Sequence, residues 1–333
     1  VGEGKRKEPS LTLRAGKAVV TAALLAYVGW NTDWAKVADA FAHLRLTLWL
    51  AAVGVLAAVQ VVSAWRWQLL ARPFGFDRTV RQLACYYFVG MYFNLLLPTS
   101  VGGDVVRAWY IDGGEGRRLT AFVTVFLDRF SGLVVLLALG CLGVLLSPLE
   151  LPAWIPAFVG GTTAAAALAI VLAPWLARRG ERFSRQFHKV RIALRTLREP
   201  RLLAGSTALS VLVQAGNVVL VWLVGEAVGA ELPAGYYWVL VPMVSLVTML
   251  PVSINGMGVR ENAVWAFVAP LGVAYETAVC LGLAWFAVFL AASAIGGGVY
   301  LLGDFQRPQA ESDDGPVSGG ADQRRARQPR AAA

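Results

Sequence analysis

Charge is scarce in this chain: only 15% of its residues are Asp, Glu, Lys or Arg, against 57% hydrophobic ones. A water-soluble globular domain has no way to hide that much apolar surface and is excluded. Histidine is scarcer still. His43 and His188 stand alone in polar segments, and the three cysteines, Cys85, Cys141 and Cys280, lie far apart in apolar ones. Neither metal-ligand nor disulfide spacing is present, which predicts three buried thiols, no metal and no cofactor. A Walker-type phosphate loop is also missing, so direct nucleotide-driven pumping is not expected. Gly256-Met257-Gly258 lacks the preceding strand that a dinucleotide site needs.

Long apolar runs are what the chain has in abundance. Six of them, at 16–30, 46–67, 119–147, 153–176, 202–225 and 275–302, read as membrane-crossing helices. In the first, Lys17 must snorkel, and no small-x-small cleavage site follows, so it reads as an uncleaved signal anchor. Two further apolar stretches, 83–97 and 235–250, are too short to cross before a proline interrupts them. They read as re-entrant segments. Trp30, Trp34, Trp49, Trp154 and Trp238 fall near span ends, where tryptophan anchors a helix at the membrane interface.

Basic residues orient the spans. With the N-terminus in the cytoplasm, the inner segments hold Lys5, Arg6, Lys7, Arg14, Lys17, Arg66, Arg72, Arg78, Arg81, Arg107, Arg117, Arg118 and the cluster from Arg178 to Arg201. The outer segments hold only Lys36, Arg45 and Arg260. This asymmetry requires both broken segments to return to the face they enter from, and it puts both termini of a multi-pass inner (cytoplasmic) membrane protein in the cytoplasm. The cluster itself, 178–201, has nine basic residues against two acids, with Phe183, Phe187, Val190, Leu194 and Leu197 on one helical stripe. It reads either as an amphipathic helix on the anionic inner leaflet or as an ordinary positive-inside loop. Membrane orientation accounts for the net charge of +9, so nucleic acid is not an expected partner. Residues 1–15 read as a cytoplasmic segment and 304–333 as a disordered cytoplasmic tail.

The interruptions carry the functional signal. NLLLPTSVGGDVVRAWY runs from Asn94 to Tyr110, and MLPVSINGMGVRENA begins at Met249. Aligned without a gap, Leu97–Arg107 and Leu250–Arg260 agree at six of eleven positions, all at one offset of 153 residues. An internal duplication explains this best, and the three crossings between the motifs make the repeats inverted. The predicted fold is therefore an all-α integral membrane bundle of about six crossing helices plus two re-entrant segments. It forms a single domain over 16–303, with repeat 1 at about 46–147 and repeat 2 at about 202–302. Re-entrant backbone survives at membrane depth only beside protein or a water-filled cavity, so a polar cavity near the midplane follows.

Pro98 and Pro251 end the descending segments. Gly102, Gly103, Gly256 and Gly258 would permit tight turns with backbone N–H groups open to a ligand, or would serve close helix packing. Arg107 and Arg260 each offer a planar fork matched to phosphate or carboxylate. Asp128 and Arg129 lie inside a span and point about 100° apart on a helix, so each needs a partner from elsewhere: Asp104 or a lipid phosphate for Arg129, and Arg107 for Asp128. The alternative is a purely structural ion network. Glu261 and Glu276 flank the second motif, either at the site or as solvated interfacial residues.

These residues resemble a family. N-x-x-L-P-x-x-x-G-G-D-V-x-R at Asn94–Arg107, D-R-x-x-G at Asp128–Gly132 and P-x-S-x-N-G-x-G-V-R-E at Pro251–Glu261 are similar to the lysylphosphatidylglycerol synthase transmembrane region family, also called the flippase-like domain family. The resemblance covers about residues 15–303. Thr99 stands where a glycine is common, and Asn255 replaces the first glycine of the second motif. Members similar to the bacterial multiple peptide resistance factor carry this domain as the lipid-translocating half of a two-part protein. Larger members append a soluble aminoacyl-transferase domain, whereas about 30 residues follow the last span here, so synthase activity is not implied.

The expected function is that of a transporter-like lipid translocase, not an enzyme, moving a charged-headgroup phospholipid or polyprenyl-type lipid between leaflets. Its substrate-binding residues are Asn94, Pro98, Ser100, Gly102, Gly103, Asp104, Arg107, Asp128, Arg129, Pro251, Ser253, Asn255, Gly256, Gly258, Arg260 and Glu261. Membrane lipids, the anionic inner leaflet and a separate lipid-modifying enzyme are the expected partners. The competing readings are an intramembrane headgroup-transfer enzyme and a non-catalytic scaffold for envelope lipid synthesis.

Overall fold

The computed structural model describes residues 11–97, 102–147, 150–181, 199–250 and 252–303, and the regular structure among them is helical, with no strand. Pro98, Ser100 and Pro251 lie outside the described residues, as do 182–198 of the basic segment, the first ten residues and 304–333. Eleven α-helices occur in the described parts: α1 (Leu11–Asn31), α2 (Trp34–Ala42), α3 (Leu46–Ala71), α4 (Val80–Leu96), α5 (Gly102–Asp112), α6 (Arg118–Leu146), α7 (Trp154–Glu181), α8 (Pro200–Val228), α9 (Tyr237–Met249), α10 (Val259–Val268) and α11 (Tyr275–Leu302).

Every expected crossing is a helix. Leu46–Phe74, Arg118–Leu146, Pro200–Val228 and Tyr275–Leu302 are long and apolar enough to cross a membrane. The apolar parts of α1 and α7, Ala18–Asn31 and Trp154–Ala169, are shorter. Local chemistry sets the helix ends. Thr79 caps α4 in a reciprocal box with Gln82, Pro200 opens α8, and Gly229 closes it in a left-handed conformation with φ 71°. The thiols correct one expectation: Cys280 is buried, but Cys85 and Cys141 are only half-buried, and all three are free. Cys141 Sγ sits 3.1 Å from Thr163 Oγ1, a contact that an apolar setting would not have supplied.

Helices α3 and α8 run antiparallel along the centre. The Arg45 N–H donates to the Ala227 carbonyl at one end (3.0 Å), and Arg66 Nη1 donates to Ser210 Oγ further along (3.0 Å). Around them stand two helical hairpins. In the first, the Gly103 N–H donates to Asn94 Oδ1 at the tip (2.7 Å), while Arg78 Nη2 reaches the Ile111 carbonyl at the base (3.5 Å). The chain therefore leaves α5 beside the point where it entered α4. Arg117, just before α6, donates to the carbonyl of Phe74 (3.2 Å) and keeps this base at the start of α6.

The second hairpin has its base at the other end of α6. Tyr236 donates to the Phe267 carbonyl (2.5 Å), joining the start of α9 to the end of α10. Pro242 removes the donor that would satisfy the Trp238 carbonyl inside α9. Gly143 of α6 packs against that carbonyl, where an added Cβ would lie 2.7 Å from the oxygen. The larger apolar core collects here: Tyr237, Leu240, Met243, Val264, Leu281 and Val288 are among its buried members.

Candidate functional site

The two hairpin tips meet. Asn255 Nδ2 donates to the Leu95 carbonyl at 3.3 Å, joining the two broken motifs directly. Beside this contact lies a cavity of about 590 Å³. Its charged lining is four arginines, Arg66, Arg107, Arg129 and Arg260, against two aspartates, Asp104 and Asp128.

Asp128, on α6, is fully buried and collects three partners. Arg66 Nε donates to Oδ1 (2.9 Å), Arg107 Nη2 donates to Oδ2 (3.0 Å), and the Tyr87 hydroxyl also donates to Oδ2. A carboxylate buried there needs counter-charge, and the two guanidinium groups supply it. Arg107 also approaches Asp104 Oδ1 (3.5 Å) and lies over the rings of Tyr87 and Trp67, at 3.6 and 4.3 Å from their centroids. Arg129 pairs with Asp104 Oδ2 (2.5 Å), its own side chain 43% exposed. The partners expected for Asp128 and Arg129 are thus present, and three arginines share two aspartates in one chain of ion pairs.

Arg260 differs from Arg107 although the two share a motif position. Among the described residues it has no ion pair, and its Nη1 is buried without a hydrogen-bond partner. Its guanidinium lies 5.6, 5.2 and 5.6 Å from the ring centroids of Trp285, Phe286 and Phe289. The neighbouring Glu261 is buried, not solvated, and its Oε2 lacks a partner. Its Cα and Cγ pack where a Cβ on Gly282 of α11 would be 3.2 Å away, and it does not line the cavity. Glu276 stays at the surface, accepting from Lys36 Nζ at 3.1 Å, and that bond holds the Lys36 ammonium above its ordinary pKa.

The motif glycines divide. Gly103 is helical, and its N–H is taken by Asn94, so it offers nothing to a ligand; a Cβ there would strike the backbone carbonyl of Gly90. Gly102 is likewise in the first turn of α5 and buried. Close packing, not an open turn, is what the first glycine pair supports. In the second motif Asn255, Gly256 and Gly258 have φ of 53°, 72° and 75° and form the expected turn. Gly258 presses against Leu24 of α1, and Ser253 is buried with its hydroxyl unpartnered.

Arg66 and Arg107 correct the topology reading, which counted both as inner-face charges; both are buried in the ion network, and Arg66 was not among the expected site residues. The sequence did hold a signal for it. Gln60, Ser63 and Arg66 recur every third residue in an apolar helix, as Ser206, Ser210 and Gln214 recur every fourth in α8, and five of these six are polar residues of the cavity or its wall. Gln214 Nε2 donates to the Gly132 carbonyl (3.0 Å), completing the contact between α6 and α8.

A bundle of apolar helices around a partly open, arginine-rich cavity defines a membrane protein with a polar interior. Residues 14–297 match the family described as the lysylphosphatidylglycerol synthase TM region, and the chain belongs to that family. It is a multi-pass membrane protein of a family tied to lipid metabolism. No curated protein matches the chain.

Proposed function

We propose that the protein is a lipid translocase or carrier, which takes the charged headgroup of a phospholipid or polyprenyl-type lipid into the central cavity while the tails stay in the bilayer. The observation that carries this reading is the cavity itself: four arginines and two aspartates lining a cleft among apolar helices, at the place where the two hairpin tips touch. Ionisable groups at that depth are costly and mark a pathway for a polar substrate.

In this reading α4–α5 and α9–α10 are re-entrant segments of inverted repeats, entering from opposite faces of a cell inner membrane with both termini cytoplasmic. Their bases at the two ends of α6 and their contact at Asn255 support it. Rocking one repeat against the other would expose the headgroup site to each leaflet in turn. The protein then acts as a transporter and not as an enzyme, in exchange with the anionic inner leaflet and with a separate lipid-modifying enzyme.

Purified protein in vesicles loaded with labelled lipids tests the reading. Redistribution of label between leaflets is the expected result. Chemical conversion of the lipid would establish an intramembrane transferase instead, and neither change would leave a scaffold.

A further inference from the structure

The charged lining is not balanced. Three arginines share Asp104 and Asp128, which leaves one positive charge in excess, and Arg260 adds a second. Glu261, next in the chain, attracts Arg260 electrostatically but makes no ion pair with it among the described residues and packs against α11 outside the cavity lining, so the Arg260 donors facing the cavity stay without an acceptor.

The two excess charges differ in kind. Arg129 is 43% exposed and is the network member best placed to turn its fork toward a ligand while Asp104 keeps Arg107 as its other partner. Arg260 is fixed: the rings of Trp285, Phe286 and Phe289 back it, and Nη1 is buried with no acceptor. A buried guanidinium donor without an acceptor is a costly feature to keep, and an anionic oxygen is the group that satisfies it. Thr248 and Asn255 complete the polar lining near it, with the guanidinium close to Gly256, whose added Cβ would be 3.9 Å from Arg260 Nη2.

Resting on the translocase reading above, we propose that the headgroup this cavity takes ends in a phosphate monoester carrying two negative charges, anchored by Arg260 on one side and Arg129 on the other. A phosphodiester brings one charge and leaves one guanidinium unmatched. A cationic headgroup meets like charge on both sides.

The test is an equilibrium titration of the purified full chain in detergent with three probes: short-chain phosphatidic acid, which ends in a phosphomonoester, short-chain phosphatidylglycerol, a phosphodiester, and inorganic phosphate. Phosphatidic acid is expected to bind roughly ten- to a hundredfold more tightly than phosphatidylglycerol, the effect of one further charge-assisted contact. Arg260→Gln should remove most of that difference, and Arg260→Lys should retain part of it. Equal binding of the two lipids by the native protein overturns the proposal without any variant having to fold. A preference that survives intact in a folded Arg260→Gln overturns the role of Arg260, and free phosphate binding as tightly as phosphatidic acid overturns a lipid as the ligand. Binding and transport fail separately: selective binding with no lipid movement in vesicles defeats the translocase reading alone, and movement without selectivity defeats this one alone.

Discussion

Asn255 of the second broken motif donates from Nδ2 to the backbone carbonyl of Leu95 in the first, across 160 residues of chain. The carbonyl lies in the last turn of α4, where helical donors run out, so a side chain from elsewhere meets a real need there. The left-handed backbone at Asn255 (φ 53°) aims the amide, and asparagine is among the few residues that take this conformation readily.

That contact gives the first prediction. In a background without Cys85, Cys141 and Cys280, Leu95→Cys combined with Asn255→Cys should be joined by a short thiol-to-thiol reagent, and the joined protein should move no lipid. Cysteine pairs that cannot be joined would mean the tips do not meet in the membrane.

The second concerns Gly103. A methyl there meets the Gly90 carbonyl and lies 2.7 Å from Asn94 Cγ, and the first of these is backbone. Gly103→Ala should lower the stability of the protein by about 1–3 kcal/mol, the range for overpacking. Thermal unfolding in detergent reads it, and Gly160→Ala, with nothing within 4 Å, is the control expected to change little. Equal midpoints for the two variants would show that α4 and α5 are not in close contact.

Much of this arrangement was legible in the sequence because a membrane helix announces itself by apolar length. The six long runs became six helices, and the electrostatic demand that Asp128 and Arg129 find separate partners led to Arg107 and Asp104. The difference between Arg107 and Arg260 was not legible. Their motif positions match, but partnership depends on what other helices bring: Asp128 from α6 reaches one, whereas aromatic rings of α11 and no ion pair among the described residues reach the other. Gly103 misled for a similar reason, since its role is set by Gly90, thirteen residues earlier and on the other arm of the hairpin. Arg66 was masked by a valid rule, the inside excess of basic residues, although its spacing with Gln60 and Ser63 pointed inward.

Sidedness is the third prediction. Asp77 and Gly235 are exposed, at the base of the first and second hairpin respectively. Single cysteines at the two positions, again without the native thiols, should be labelled by an impermeant reagent from opposite faces, Asp77→Cys from the cytoplasm. Labelling of both from one face would remove the inverted arrangement and with it the geometric support for alternating access.

The last prediction separates the ion network from the headgroup anchors. Asp128 holds two arginines and a tyrosine in full burial, so Asp128→Asn leaves Arg66 without a counter-charge and Arg107 with Asp104 alone. Breaking a buried pair in this way costs about 3–5 kcal/mol, and the variant should be scarce in the membrane and unfold at lower temperature. Adding Arg66→Gln should restore part of that loss, because the stranded charge is then gone; the two sites touch, so a coupling of about 0.5–3 kcal/mol is expected in a double-mutant cycle. Arg129→Gln should behave otherwise. Its side chain is the most exposed of the network, and Asp104 retains Arg107, so the protein should accumulate normally while lipid movement falls. If Arg129→Gln is lost from the membrane as readily as Asp128→Asn, Arg129 is a structural member of the network and not an anchor for the headgroup.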